Sequence, residues 1–324
     1  MIKTVIGIDI SKSTFDVALL KNEKIKTKKF TNNSNGFAEL KKWLTNNEAS
    51  DVHACMEATG CYGTKLAEYL YVNNFMVSVV NPARIKGFSQ SKLCRVKTDK
   101  ADCQLIAQFC QMIQPDPWKP TDQHIQKLKE WVHRLDILLS NKLQEGNRIE
   151  GSSPEVVADI QAHIEFIDER IKKTQALISN HIQQHEDLND NYKLLATIPG
   201  IGDKTISVIL ASLSNIEDFD SAKQVAAFIG LNPKHRQSGS SLNMTSKISK
   251  TGDAKLRKAF YMPALVSIRY NPIINEFSQR LTEAGKPKMV VLIAAMRKLI
   301  HIIYGVLKNK TPFNENIMKK VIDV

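Results

Sequence analysis

Along this chain of 324 residues the apolar positions follow two rhythms. In the first third they come in short runs broken by turn residues. Thr4–Ile10 is an apolar strand whose last residues include an acid, Thr14–Leu20 is a second strand, and Lys28–Thr31 a third. The turn-like stretch Asn32–Gly36 leads into a helix at Phe37–Leu44. Val52–Ala58 predicts another strand and Thr64–Asn73 a helix. Met76–Val80 is a short strand stopped by Asn81-Pro82. Three opening strands followed by alternating helix and strand predict a mixed α/β sheet with helices on its faces.

The rhythm changes after Pro115, Pro117 and Pro120, which read as a linker. Two long helical patterns follow. In the second, Ile160, Ile164, Ile167, Ile171, Thr174, Ile178 and His181 recur at alternating steps of four and three, a heptad seam with charged residues between. Gly151-Ser152-Ser153-Pro154 supplies the turn before it. Residues 122–189 are therefore expected to form an antiparallel coiled-coil hairpin; two ordinary amphipathic helices packed on a domain are the alternative. The last third is mostly helical in pattern, with an irregular basic stretch at Asn232–Gly252. The expected domains are 1–118, 119–190 and 191–324.

Charge adds a direction to this plan. The chain has a formal net charge of +12 and a pI of about 9.3. Residues 1–118 carry 16 Lys+Arg against 11 Asp+Glu, residues 119–190 carry 9 against 13, and residues 191–324 carry 20 against 9. Basic side chains recruit phosphates and release counterions, so the C-terminal third is the expected nucleic-acid face and the acidic middle is not. The five cysteines form no CxxC pair and no Cys/His set has zinc-ligand spacing. They read as reduced thiols of a cytosolic protein. The N-terminal segment shows no signal-peptide pattern, and no uncharged apolar run is long enough for a membrane span. The expected location is the cytoplasm, with no membrane partner.

Two sets of residues carry chemistry in the N-terminal third. Asp9 ends the apolar run Val5-Ile6-Gly7-Ile8, and Glu57 ends Ala54-Cys55-Met56. A carboxylate at a strand end is held on a rigid support, a good place for a metal ligand. Asp99 and Asp102 open a helix three residues apart and share one of its faces. If these elements converge, four carboxylates repel one another unless cations neutralise them, and two Mg²⁺ ions would serve phosphoryl transfer there. Singly, each acid has a plainer role: Asp99 as a helix N-cap, Asp102 as a first-turn acid favoured by the helix dipole. Asp16, between Phe15 and Val17, is expected on the solvent face of its strand.

Two further motifs lie in the basic third. Pro199-Gly200-Ile201-Gly202 between two helical patterns reads as a helix–hairpin–helix turn. Its glycines let backbone approach a phosphate, the next helix offers free N–H groups, and Lys204 adds a charge. An ordinary helix–helix turn is the alternative. From Lys234 to Lys258 there are seven Lys/Arg and one acid, among them Lys234, Arg236, Lys247, Lys250, Lys255 and Arg257. Chemistry alone makes this a polar loop that touches phosphates; no adjacent base marks any of Ser238, Ser240 or Ser241 as a nucleophile.

The segments GIDISKSTFDVALL, MEATGCYG and VVNPARIKGFSQSKLCRVKTDKADCQLIAQF resemble the N-terminal RuvC-like domain, an RNase H fold, of the DEDD-type insertion-sequence transposases. This is the "one-ten" family, described as bridge-RNA-guided recombinases. Asp9, Glu57, Asp99 and Asp102 fall on its DEDD positions. GLNPKHRQSGSSLNMTSKISKTGDAKLRKAFYMPA resembles the family's C-terminal motif, and the first serine of its SGSS element, Ser238 here, stands at the proposed DNA-attacking nucleophile. The resemblance implies an α/β RuvC-like domain, a coiled-coil arm and a mainly α C-terminal transposase domain. It implies a phosphoserine link to DNA, with Mg²⁺ or Mn²⁺ on the four acids. The implied partners are donor and target DNA, a structured non-coding guide RNA, and further copies of the chain in a dimer or tetramer, one chain's serine domain working beside another's RuvC-like domain. The implied setting is the bacterial cytoplasm, at the nucleoid. Three rivals remain: a junction-resolving or RNase H-like nuclease that hydrolyses with water, an actin-like sugar kinase, and a non-enzymatic DNA-bridging protein. The kinase reading lacks the Gly-rich phosphate and adenosine loops it needs.

Overall fold

The computed structural model describes residues 4–49, 51–58, 60, 62–92, 98–234, 237–238, 242–243 and 247–315. The chain forms two compact units, Met1–Thr121 and Asp122–Val324.

The first unit is a five-stranded mixed sheet with helices on both faces. Its strands are β1 (Thr4–Ile10), β2 (Thr14–Lys21), β3 (Lys24–Thr31), β4 (Val52–Glu57) and β5 (Met76–Val80), in the order β3-β2-β1-β4-β5. The first three form an antiparallel meander, while β4 runs parallel to β1 and β5 parallel to β4. The helices are α1 (Ser34–Asn46), α2 (Thr64–Val72), α3 (Pro82–Ser91) and α4 (Asp99–Ile113). Strand alternation sorts the side chains. Ile6, Ile8, Phe15, Val17 and Leu19 bury one face with Leu40, Leu44, Leu66 and Leu70 of α1 and α2. Val5, Ala18, Leu20 and Cys55 bury the other with Cys103, Ile106, Ala107 and Cys110 of α4.

Gly7 sets how close α4 comes to the sheet. A Cβ on Gly7 would stand 2.2 Å from the backbone nitrogen of Ala107 and 2.2 Å from the carbonyl oxygen of Cys103. A glycine inside a strand often marks such an approach of another backbone. The proline-rich segment after α4 is docked rather than loose: the Trp118 N–H donates to the Val77 carbonyl at 2.6 Å, and Ser78 Oγ lies 2.9 Å from the Pro115 carbonyl and 2.8 Å from that of Asp116.

The second unit opens with a helical hairpin of α5 (Gln123–Arg148) and α6 (Pro154–Gln184). The Lys142–Asp168 ion pair at 2.6 Å and a hydrogen bond from His181 Nε2 to the His124 carbonyl at 2.8 Å fix the two helices antiparallel. Along the heptad seam Ile160, Ile167, Ile171, Thr174, Ile178 and His181 are buried, and Ile164 is half-buried. The hairpin leads to α7 (Glu186–Ala196), α8 (Asp203–Ser212) and α9 (Ala222–Ile229), then to two small ladders. β6 (Pro233–Lys234) pairs with β9 (Lys247–Ile248), and β7 (Gln237–Ser238) with β8 (Leu242–Asn243). Four helices close the unit: α10 (Ala254–Ala259), α11 (Tyr261–Tyr270), α12 (Pro272–Glu283) and α13 (Lys288–Asn309). By length and composition α13 is apolar enough to cross a membrane. Its Leu299, Ile300, Ile302, Ile303 and Val306 are instead buried in the core of this unit.

Candidate active site

The acids of the first unit gather at one end of its sheet. Asp9 lies on β1 with Gly7 and Val5, on the face that α4 covers. Glu57 ends β4, one residue past the Ile8–Met56 register pair, and so stands beside Asp9. α4 begins at the same place. Thr98 is its N-cap, its side chain accepting from the Ala101 N–H at 3.2 Å, so Asp99 and Asp102 occupy the first turn and neither caps. Acids there are favoured by the positive end of the helix.

The electrostatics record this convergence. The Asp9 carboxyl is pushed up to about 6, first by burial and then by the negative charges of Asp102, Asp99, Glu57 and Asp16. The other three predicted acids thus all act on Asp9. Among the described residues, no group of three or more acids, histidines or cysteines is drawn together closely enough to enclose a metal ion. The set is carboxylate-rich and half-buried at Asp9, Glu57 and Asp102. That chemistry fits a hard divalent cation such as Mg²⁺ or Mn²⁺.

Asp16 corrects the sequence reading. It faces Asp9 directly across the β1–β2 ladder, and directly opposed residues of an antiparallel pair share a face. It lies opposite Phe15 and Val17, as expected, but α4 packs on that face and leaves the Asp16 side chain only 21% exposed. Lys29 follows in the same row on β3, opposite Asp16. Its Nζ is 3.2 Å from Asp16 Oδ2 and 3.8 Å from Asp99 Oδ2. Sequence reasoning passed over Lys29 because the stretch is rich in lysines. The three thiols described, Cys55, Cys103 and Cys110, are free and buried between β4 and α4. Burial and the nearby Asp16 and Asp9 push the Cys103 thiol up to about 12, which keeps it protonated.

In the second unit, Pro199–Gly202 joins α7 to α8. Gly200 has φ +97°, and a Cβ on it would meet Ser267 Oγ at 2.2 Å. The Pro199 carbonyl accepts from Ser267 Oγ at 3.3 Å and from Asn271 Nδ2 at 3.4 Å. Gly200 is therefore occupied by internal packing, whereas Gly202 and Lys204 are exposed, with nothing within 4 Å of a Cβ at Gly202. In the basic stretch Ser238 stands on β7 opposite Leu242, and Lys234 stands opposite Lys247. Arg236, Ser240 and Ser241 lie outside the described residues. Lys250 and Lys255 are exposed. Arg257 is partly committed: its guanidinium donates to the Ile229 carbonyl at 2.8 Å, at the end of α9.

Comparison with known proteins bears on both sets of residues. A transposase family model of the DEDD type of IS110 elements matches residues 6–152, and one described as the transposase IS116/IS110/IS902 family matches residues 192–279. A pilin gene-inverting protein of Moraxella bovis is 36% identical over 320 residues, 98% of this chain and 99% of that protein. The chain belongs to the IS110 family of transposases. It is accordingly a DNA transposase/recombinase, an enzyme that acts on DNA. The pilin gene-inverting protein of Moraxella lacunata is similar to the same extent, 36% over 320 residues. The transposase for insertion sequence element IS1328 of Yersinia enterocolitica is 28% identical over 162 residues, 48% of this chain and 46% of that protein. The first of the two IS110-family segments contains Asp9, Glu57, Asp99 and Asp102, and the second contains the Gly200–Lys204 turn and Ser238.

Proposed function

We propose that this IS110-family transposase cuts and rejoins DNA through a covalent bond to Ser238, with Asp9, Glu57, Asp99 and Asp102 holding a divalent ion. The observation that carries the metal reading is the crowding at Asp9, whose carboxyl is pushed up to about 6 by burial and by its acidic neighbours. Mg²⁺ or Mn²⁺ held there would supply Lewis-acid stabilisation of charge on phosphate oxygens. Asp9 and Glu57 are fixed by strand ends and Asp99 and Asp102 by a capped first turn, so the donors are pre-positioned on rigid elements.

In the serine step, Ser238 Oγ attacks a backbone phosphate. The Oγ–P bond forms as one P–O ester bond breaks, and the serine proton passes to the released strand hydroxyl. A strand hydroxyl on a different partner then attacks the phosphoserine and frees Ser238. One ester bond replaces another in each step, so no high-energy cofactor is consumed. Lys234, Arg236, Lys247, Lys250, Lys255 and Arg257 would hold phosphates around the serine, and Gly202 and Lys204 would contact backbone beside it. Family membership and the basic charge of residues 191–324 support donor and target DNA as partners, and the family resemblance supports a structured guide RNA recognised by shape and backbone. The α5–α6 hairpin buries its heptad seam within the chain, and its exposed apolar residues Leu143, Phe166 and Leu177 together with its acidic balance support a role in assembly into a dimer or tetramer, in the bacterial cytoplasm, where the nucleoid is.

The test is a reaction on DNA carrying both partner sites, stopped with denaturant. Wild type leaves protein attached to labelled DNA and Ser238→Ala does not, while Asp9→Asn and Glu57→Gln stop cleavage altogether. Cleavage that survives Ser238→Ala, with product always free of protein, overturns the serine step in favour of a hydrolytic nuclease. Peptide mapping of the adduct separates Ser238 from Ser240 and Ser241.

A further inference from the structure

The row Asp9, Asp16, Lys29 runs straight across three strands. Two like charges stand directly opposite each other, an arrangement that destabilises a ladder unless something offsets it. Lys29 is placed to do so. It lies on the edge strand β3, its ammonium 3.2 Å from Asp16 and 3.8 Å from Asp99, and so ties the sheet to the first turn of α4. Asp99 is 72% exposed and the lysine side chain 54% exposed, whereas Asp16 is 21% exposed. The lysine therefore has one sheltered partner and one open partner. A flexible four-carbon stem on an edge strand can leave the open one at little cost, because exposed ion pairs are weak and screened by salt.

We infer that Lys29 is the resident counter-ion of the acid site: without a divalent ion it neutralises Asp16 and Asp99, and it competes with the ion for Asp99. The inference rests on the reading that the four acids hold a divalent ion. Asp16 is then the anchor from which Lys29 works, a positioning residue and not a ligand. The site is thereby stable without metal, and metal affinity is set lower than four acids alone would set it.

The measurement is Mn²⁺ binding to the full-length protein by electron paramagnetic resonance, with the melting temperature of the metal-free protein read alongside. Lys29→Met removes the positive charge and keeps an unbranched stem. It is expected to bind Mn²⁺ about three- to tenfold more tightly, the size of one unit charge acting on a divalent ion through water-like screening at several ångströms. Its metal-free melting temperature should fall, because two carboxylates lose their neutraliser. Lys29→Arg should restore both values to those of wild type. A Lys29→Met protein that binds Mn²⁺ with unchanged or weaker affinity overturns the counter-ion role, even if it melts lower. Wild type that takes up no Mn²⁺ at millimolar concentration overturns the metal reading itself, and the inference with it.

Discussion

Replacing Asp9 by Asn should stabilise the metal-free protein above pH 6 while abolishing DNA cleavage. The sign follows from linkage. In the folded protein the Asp9 carboxyl titrates at about 6, against an ordinary value of 3.8. Between these values the folded state holds a proton that the unfolded chain has lost, so stability falls as pH rises through this window and stays low above it. Each pH unit between the two values is worth about 1.4 kcal/mol, which gives roughly 3 kcal/mol. Asp9 is only half-buried, so water screens its neighbours and the effective penalty is about 1–2 kcal/mol. Asn keeps the shape and removes the charge. In EDTA the variant should melt with wild type at pH 4 and roughly 3–8 °C above it at pH 8, as read by calorimetry. Added Mg²⁺ should then raise the wild-type melting temperature at pH 8 and close much of the gap. A variant that melts at or below wild type at pH 8 would falsify the claim that four acids crowd Asp9.

Three further outcomes test other parts of the structure. Gly7→Ala puts a methyl group 2.2 Å from the backbone of α4 and must push that helix off β1; overpacking of this kind costs about 1–3 kcal/mol and should cut cleavage with it, measured by urea unfolding and by strand nicking. A stable, fully active Gly7→Ala protein contradicts the close approach. Lys at both Phe166 and Leu177, exposed apolar residues on one face of α6, should lower the mass seen by light scattering if the outer face of the hairpin joins subunits, and an unchanged mass with unchanged activity argues against it. Lys204→Ala and Lys255→Ala should each reduce the slope of log affinity against log salt by about 1 without changing sequence preference. A slope identical to wild type in both removes these lysines from the interface.

Much of the first unit was legible because its strands are short and apolar. Thr4–Ile10 and Met76–Val80 have the predicted limits. β3 begins at Lys24 rather than Lys28, and the reason is its place at the sheet edge. With Phe30 as its one buried side chain, it carries no alternation to read. The heptad seam of α6 was legible for the opposite reason: thirty-one residues give a period many chances to show. The ladders around Ser238 were not, since strands of two residues have no period. The nucleophile role proposed for Ser238 rests on resemblance, as no neighbouring residue type announces a nucleophile there.

The acid site divides along the same physical line. Asp9 and Glu57 were visible as polar breaks at the ends of apolar runs, and Asp99 with Asp102 as a pair on one helical turn. What sequence parity alone could not supply was the second cover of the sheet. Parity puts Asp16 on the face opposite Phe15 and Val17, and an antiparallel ribbon with one wet face makes that face solvent. Here both faces are roofed, so the same parity carries Asp16 under α4 and against Asp9. The signal for the second roof was Gly7, a residue with no side chain in the middle of Val5-Ile6-Gly7-Ile8, where a β-branched residue would otherwise pack. A glycine two residues before a strand-end acid, on the same face, leaves room for another backbone to come close just behind that acid. In this chain that backbone is the helix whose first turn brings Asp99 and Asp102, so the glycine and the four acids are parts of one construction.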